Sequence, residues 1–298
     1  TANVVEVEQV DITASNPFFS DYDTPHGIPP FDKIKQSHYL PAFYHGIAEK
    51  NLEINAITRV KSHPTFENTI VAMEKSGDFL TKVSSTFYGL TGSMSDDGMR
   101  AIAKEISPKL SALADDIALN DALFMRVKDV YDNQDKFNLR TDQKLLLEKT
   151  YKNFVRGGAN LNDADKLKLR ELNEKLSGLS LKFGENLLAE TNGFEMVIDN
   201  KADLDGLPED IIAAASETAT ARGHEGKWVF TTHRPSKNPF LTYSNNRKLR
   251  ETIYKGYTMR GNNDNANNNQ AIASEMASLR FQKAQLLGYK THAHFVLE

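Results

Sequence analysis

The chain has 298 residues, 40% of them hydrophobic, which is enough apolar material for one large or two ordinary domains. It contains no cysteine, which excludes disulfides, thiolate metal sites and a cysteine nucleophile among these residues. Its 36 basic and 40 acidic side chains are spread along the length, so no basic stripe for a phosphate backbone is expected and nucleic acid is not an expected partner.

Residues 1–36 predict an extended arm. Pro17, Pro25, Pro29 and Pro30 remove donors and fix φ, while Phe18, Phe19, Phe31 and Ile34 read as pegs that hold the arm to the body. Ser37 reads as the cap of a helix with Pro41 in its first turn and Phe43, Ile47, Leu52 and Ile54 on its apolar side. The stretch "PTFENTIVAMEKSGDFLTKVSSTFYGLTG" then reads as one helix. Met73, Leu80, Val83, Phe87 and Leu90 form its seam, with a polar slot at Ser76. Met99, Ile102, Ile106, Leu110, Leu113 and Ile117 predict a further helix from Asp96, bent at Pro108 where a backbone bond is lost. A shorter one, Asp121 to Tyr131, follows a turn at Asn120.

Leu139 to Val155 and Asn162 to Glu190 carry the strongest helical pattern, separated by Gly157 and Gly158. Leu169, Leu172, Leu176, Leu179, Phe183 and Leu187 make one stripe. Burying each side chain contributes roughly 1.5–3 kcal/mol, against about 1–2 kcal/mol of backbone entropy per ordered residue. The stripe must therefore pack on neighbouring helices. At Gly193 the period changes: "GFEMVID" and "KWVFTT" read as short strands, with a helix from Pro208 to Ala221 between them. Pro235 and Pro239 lead out to two helical patterns between Tyr243 and Phe295, joined by an asparagine-rich tract, Asn262 to Asn269, that reads as a solvated loop.

In the first of these patterns Leu249, Ile253, Tyr254 and Tyr257 face one way and Arg247, Arg250 and Arg260 the other. The second has Ile272, Met276, Leu279, Leu286 and Leu287 on a stripe, ends near Gly288 and starts again at Thr291. A helix still running at Glu298 carries the expectation that the parent chain continues. The expected fold class is mainly α, with long antiparallel helices and one small β-sheet. The expected organisation is an arm (1–36), a helical lobe (37–240, with a β element at about 193–232) and the start of a further region (241–298).

Chemistry is sparse. "HEGKW" at His224 and Glu225 begins like the zinc-binding H-E-x-x-H, but Trp228 stands where the second histidine must be and Gly223 and Gly226 make a turn. His292 and His294, two apart on a helical pattern, point about 200° from one another and do not chelate together. His26, His38, His45, His63 and His233 have no companion at useful spacing. Asp115 with Asp116 and Glu171 with Glu174 read as solvated helix faces. No phosphate loop, nucleophile elbow or dinucleotide fingerprint is present. The residues by themselves give no catalytic, metal or substrate-binding assignment. No apolar run reaches the roughly 20 residues that span a bilayer, so no membrane partner is expected.

The runs "NPFF", "FDKIKQSHYLPAF", "PTFENTIVAMEKSG", "FYGLTG", "YKNFVRGGANLNDADK", "LNEKLSGLS", "GLPEDIIAAA", "RGHEGKWVF" and "NNRKLRETIY" resemble, in order, the amino-terminal half of the zinc oligopeptidase family. That group holds peptidyl-dipeptidase, oligopeptidase A and thimet oligopeptidase, and "FYGLTG" before the "SPKL" helix looks closer to the peptidyl-dipeptidase branch. The resemblance implies a two-lobed helical metallopeptidase that cuts short peptides with one zinc held by H-E-x-x-H and a later glutamate. It also implies that this chain forms the cleft-walling lobe, lacks the zinc site, holds no metal itself, is inactive alone and needs a carboxy-terminal catalytic lobe as partner. The alternative is a complete, non-catalytic helical module that binds peptides or proteins. The expected compartment is the cytoplasm, with the periplasm as the alternative.

Overall fold

In the computed structural model, which describes residues 15–92 and 94–298, Asn16 Oδ1 accepts from the Phe18 N–H and starts a 3₁₀ turn, Pro17–Phe19. Two more follow, Pro25–Gly27 and Gln36–His38. The described part of the expected arm is thus a string of turns, because proline at the first position of a turn supplies a fixed φ where no donor is needed. The arm's first 14 residues lie outside the described part. Phe18 is buried against Tyr39, and Phe19 sits 5.1 Å from both His45 and Phe79. Phe31 is exposed and is not a peg. Lys82 Nζ ties the arm down by donating to Phe18 O and Ser20 O.

Helix α1, Tyr39–Arg59, buries Phe43, Ile54 and Ile57 but leaves Leu52 exposed, against expectation. The stripe position one turn before Ile54 belongs to Lys50, whose ammonium donates to Ser76 O at 2.7 Å and to Ser76 Oγ at 2.6 Å. The single helix expected after Pro64 is three pieces: a π-helical turn, Phe66–Val71, a short α2, Ala72–Glu74, and α3, Asp78–Thr91. The break falls at Gly77, whose φ of +81° a helix cannot hold. A reciprocal pair of bonds between Thr65 and Asn68 caps the π-turn.

Helices α4 (Asp97–Ala118, with Pro108 inside), α5 (Asp121–Asp132), α6 (Thr141–Arg156) and α7 (Asp163–Gly193) follow. Asp96 and Asn120 cap α4 and α5 by accepting from Met99 N–H and Leu123 N–H. Strands β1 (Met196–Ile198) and β2 (Trp228–Phe230) pair antiparallel with Val197 opposite Val229, and α8, Glu209–Ala221, lies between them in the chain. Then come α9 (Arg234–Tyr243), α10 (Arg247–Thr258), α11 (Gln270–Leu286) and α12 (His292–Val296). Helix α9 was not expected from its two prolines. Pro235 falls in the first turn, where N–H groups have no intrahelical partner anyway.

Two compact units result: residues 1–178 with 281–298, and residues 179–280. In the first, Ile54, Phe66, Ile70, Leu123, Phe124, Val127, Leu147 and Phe154 form a core between α1, the π-turn, α5 and α6. The buried Arg126 crosses its edge and donates to Val60 O and Asn68 Oδ1. Arg156 donates to Phe295 O and pairs with Glu298 at 2.9 Å. In the second unit, β1, β2, α8, α9 and α10 enclose Met196, Ile198, Leu204, Phe230, Phe240 and Ile253. Tyr254, expected on the apolar face of α10, is exposed.

Phe194 lies directly on the backbone of α10. A Cβ on Gly256 would stand 2.1 Å from its Cε2, whereas one on Gly184, inside α7, would meet nothing within 4 Å. Gly256→Ala should therefore lower stability by about 1–3 kcal/mol. Gly184→Ala should leave it unchanged or raise it by about 1 kcal/mol. Urea midpoints that move in the same direction for both would show that the Phe194 contact is not what constrains residue 256.

Candidate functional site

The end of α7 gathers more polar side chains than any element in the second unit was expected to. A helix ends with carbonyls that have no intrahelical donor, and α7 has no basic residue in its last turn to meet them. The chain supplies donors from elsewhere. Thr232 Oγ1 donates to Thr191 O, the Arg222 guanidinium to Asn192 O, and Arg260 Nη1 to Thr191 Oγ1 at 2.6 Å.

The asparagine-rich tract completes this end and is not a solvated loop. Asn269 is buried; its N–H donates to Gly261 O and its amide to Phe183 O, while its Oδ1 accepts from the buried Asn186. Asn263 and Asn265 both point their amide nitrogens at Glu190. Burial opposes the Glu190 charge, yet the donors from Asn265, Asn263, Gly261 and Asn267 outweigh it and hold the carboxyl below its usual range. Beside it opens a cleft of about 390 Å³, lined by Ala189, Glu190, Gly193, Phe194, Lys255, Gly256, Met259, Asn263 and Asn267.

The second unit also carries concentrated positive charge. Between Arg234 and Arg260 there are seven lysines or arginines and a single acidic residue, Glu251, although the whole chain is net −4. The charges are thus not evenly spread, as the totals had implied: α9 and α10, which pack on each other, are strongly basic.

The residues singled out in the sequence lie elsewhere. The "HEGKW" run is the turn between α8 and β2, with Gly223 and Gly226 at positive φ. His224 meets Glu195 Oε2 at 2.9 Å, and Arg222 meets Glu195 Oε1 at 2.8 Å. These two donors hold the Glu195 carboxyl below its ordinary range, the Arg222 bond more than the His224 bond. His294 N–H donates to the Thr291 cap on α12, and His292 sits 6.3 Å from the Phe295 ring. His38 caps, His45 meets the Phe79 ring edge to face, His63 meets Asp129 at 3.2 Å and His233 meets Asn192. His26 occupies a left-handed turn position.

Glu171 and Glu174 are exposed on α7, as read. Asp115 is not on a solvated face: it is half-buried and accepts from Asn173, whose Oδ1 accepts in turn from Lys283 Nζ. Burial pushes the Asp115 carboxyl up and the Lys283 ammonium down. Among the described residues no three His, Asp or Glu side chains converge as a metal ligand set. The described residues therefore do not fit a zinc ion, and the arrangement around α7 presents donors and charges that can bind and orient a ligand.

Over 282 residues, 95% of its length, the chain is 35% identical to a dipeptidyl carboxypeptidase of Escherichia coli K12, and residues 240–298 match peptidase family M3. The family match belongs to that segment, and the likeness to the dipeptidyl carboxypeptidase runs along the chain as a whole. Its similarity to the dipeptidyl carboxypeptidase of Salmonella typhimurium is 32% over 94% of the chain. That to the organellar oligopeptidase A of Arabidopsis thaliana is 28% over 97% of the chain and 37% of that protein. The chain spans about two fifths of the length of the curated relatives it matches, 41% for both dipeptidyl carboxypeptidases.

The segment that matches family M3 contains α10, the asparagine tract, α11 and α12, so half of the α7 site lies in it. Reading the sequence missed Glu190, Asn186, Thr191 and Arg260 as members of one site. The available signal was the run of basic residues after Arg234, which overall totals conceal.

Because the folded-state pKa of Glu190 lies below its unfolded value, its ionisation contributes stability above the unfolded pKa. That contribution is lost as pH falls through the folded pKa. Glu190→Gln should therefore be less stable than the parent at neutral pH, with the difference shrinking on acidification below the usual carboxylate range. Chemical denaturation at a series of pH values measures this. A difference that stays constant with pH would remove the charge from the explanation.

Proposed function

We propose that this chain is a non-catalytic, helical portion of a zinc peptidase of the dipeptidyl carboxypeptidase kind, which releases dipeptides from the free carboxyl end of short peptides. The observation that carries the reading is the 35% identity to a protein of that name, sustained over 95% of the chain. Zinc in such an enzyme supplies a Lewis acid and an acidified water. The residues described here offer no ligand set for it, so the proposal assigns zinc and its chemistry to residues outside these 298. The role left to this chain is to bind and enclose peptide, for which it has an aromatic-floored cleft with Glu190 and Lys255 on its wall.

Metal content and turnover test this together. The purified chain should hold no stoichiometric zinc after dialysis and release no dipeptide from an amino-blocked tetrapeptide. A polypeptide extended along the parent reading frame should do both. One tightly held zinc with turnover in the 298-residue chain would sink the proposal.

A further inference from the structure

Lys237 on α9 and Arg260, just past α10, both address the ring of Tyr257. Lys237 Nζ lies 3.9 Å from the ring centroid and the Arg260 guanidinium carbon 4.0 Å from it. All three residues are half-buried. A cation over a tyrosine face is stabilised by the ring quadrupole, but two cations on one ring also repel one another in surroundings of reduced dielectric. Carboxylates ordinarily relieve such a pair. The ion pairs formed in this unit, Arg222 and His224 with Glu195, Lys227 with Asp199 and Lys255 with Glu251, leave out both Lys237 and Arg260. Arg260 spends two N–H groups on Tyr257 O and Thr191 Oγ1 and keeps the rest of its fork unfilled. Lys237 has no hydrogen-bond acceptor among the described residues, only the ring.

We infer that Lys237 and Arg260, held by Tyr257, form a carboxylate-binding site for an acidic peptide on the basic face of α9 and α10. The charge of the segment that carries the site, residues 234–260, favours an anion: seven basic side chains against one acidic in a chain that is net negative. The planar fork of Arg260 suits a carboxylate, and the ammonium of Lys237 adds a second point charge. The choice of a peptide as the anion's bearer rests on the peptidase reading above.

Fluorescence anisotropy on the full 298-residue chain tests the site without any turnover. The probes are a labelled hexapeptide rich in glutamate, its lysine counterpart and a labelled hexathymidylate. The glutamate peptide should bind, the lysine peptide should not, and added salt should weaken binding. Lys237→Gln, which removes no hydrogen bond, should lower affinity about tenfold, a typical loss for one charge-assisted contact. Arg260→Gln should do at least as much, whereas Arg260→Lys should retain part of the affinity. Unchanged binding in Lys237→Gln overturns the site, and hexathymidylate bound as tightly as the peptide overturns the assigned class. Loss of binding here with intact dipeptide release by the extended polypeptide would refute this inference alone. Binding without such release would leave the site and refute the peptidase reading.

Discussion

The second unit is organised by an electrostatic difficulty at the end of α7. A carboxylate in the last turn of a helix faces the negative end of the macrodipole and the unsatisfied carbonyls that produce it. Glu190 stands in that position in a helix without a basic residue in its last turn. Left unaided, the group would be protonated or the end would fray. Amides from Asn263 and Asn265, with Arg260 and Arg222 bonded to Thr191 and Asn192, turn the end into one that favours negative charge. The asparagine tract is therefore a set of neutral donors fitted to a carboxylate. Asn269 locks its exit through the buried amide of Asn186.

This arrangement explains why the helices were legible in the sequence and the site was not. Periodicity reports which face of an element is buried, and it located α4, α5, α6, α7 and α10 because each buries one face. It fails where a polar group occupies a stripe position. Lys50 takes such a position in α1 because its ammonium reaches the carbonyl and hydroxyl of Ser76, and Leu52 is displaced to the surface. It also fails where backbone geometry overrides pattern. Met73 and Leu80 keep helical spacing across Gly77, whose left-handed φ ends one helix and starts another. Asn262 to Asn269 has the composition of a solvated loop, and only the carboxylate it meets, more than 70 residues away in sequence, makes it structure.

The same logic separates charges that matter from those that do not. Ion pairs between close neighbours on the chain, such as Arg140 with Asp142 or Lys152 with Glu148, are exposed, and pairs of that kind contribute little. Asp115 and Lys283 differ because both are partly withdrawn from water and meet only through Asn173. An amide can serve both at once, accepting from the ammonium and donating to the carboxylate. The ammonium and the carboxylate thus share a neutral intermediary, and burial pushes each toward its uncharged form.

The family M3 match covers residues 240–298, and the asparagines and Arg260 that this segment brings to the end of α7 are hydrogen-bond donors. Around α7 the charged groups are either held in one state by several donors, as Glu190 is, or carry the delocalised charge of a guanidinium, as Arg260 does. Permanently charged groups with unfilled hydrogen-bonding capacity are suited to recognition, because they need no proton to be in place before the ligand arrives. In the site inferred above, Arg260 meets that condition and Lys237 adds an ammonium, within a segment of seven basic residues and one acidic, so the field that would draw an anion and the donors that would hold it coincide.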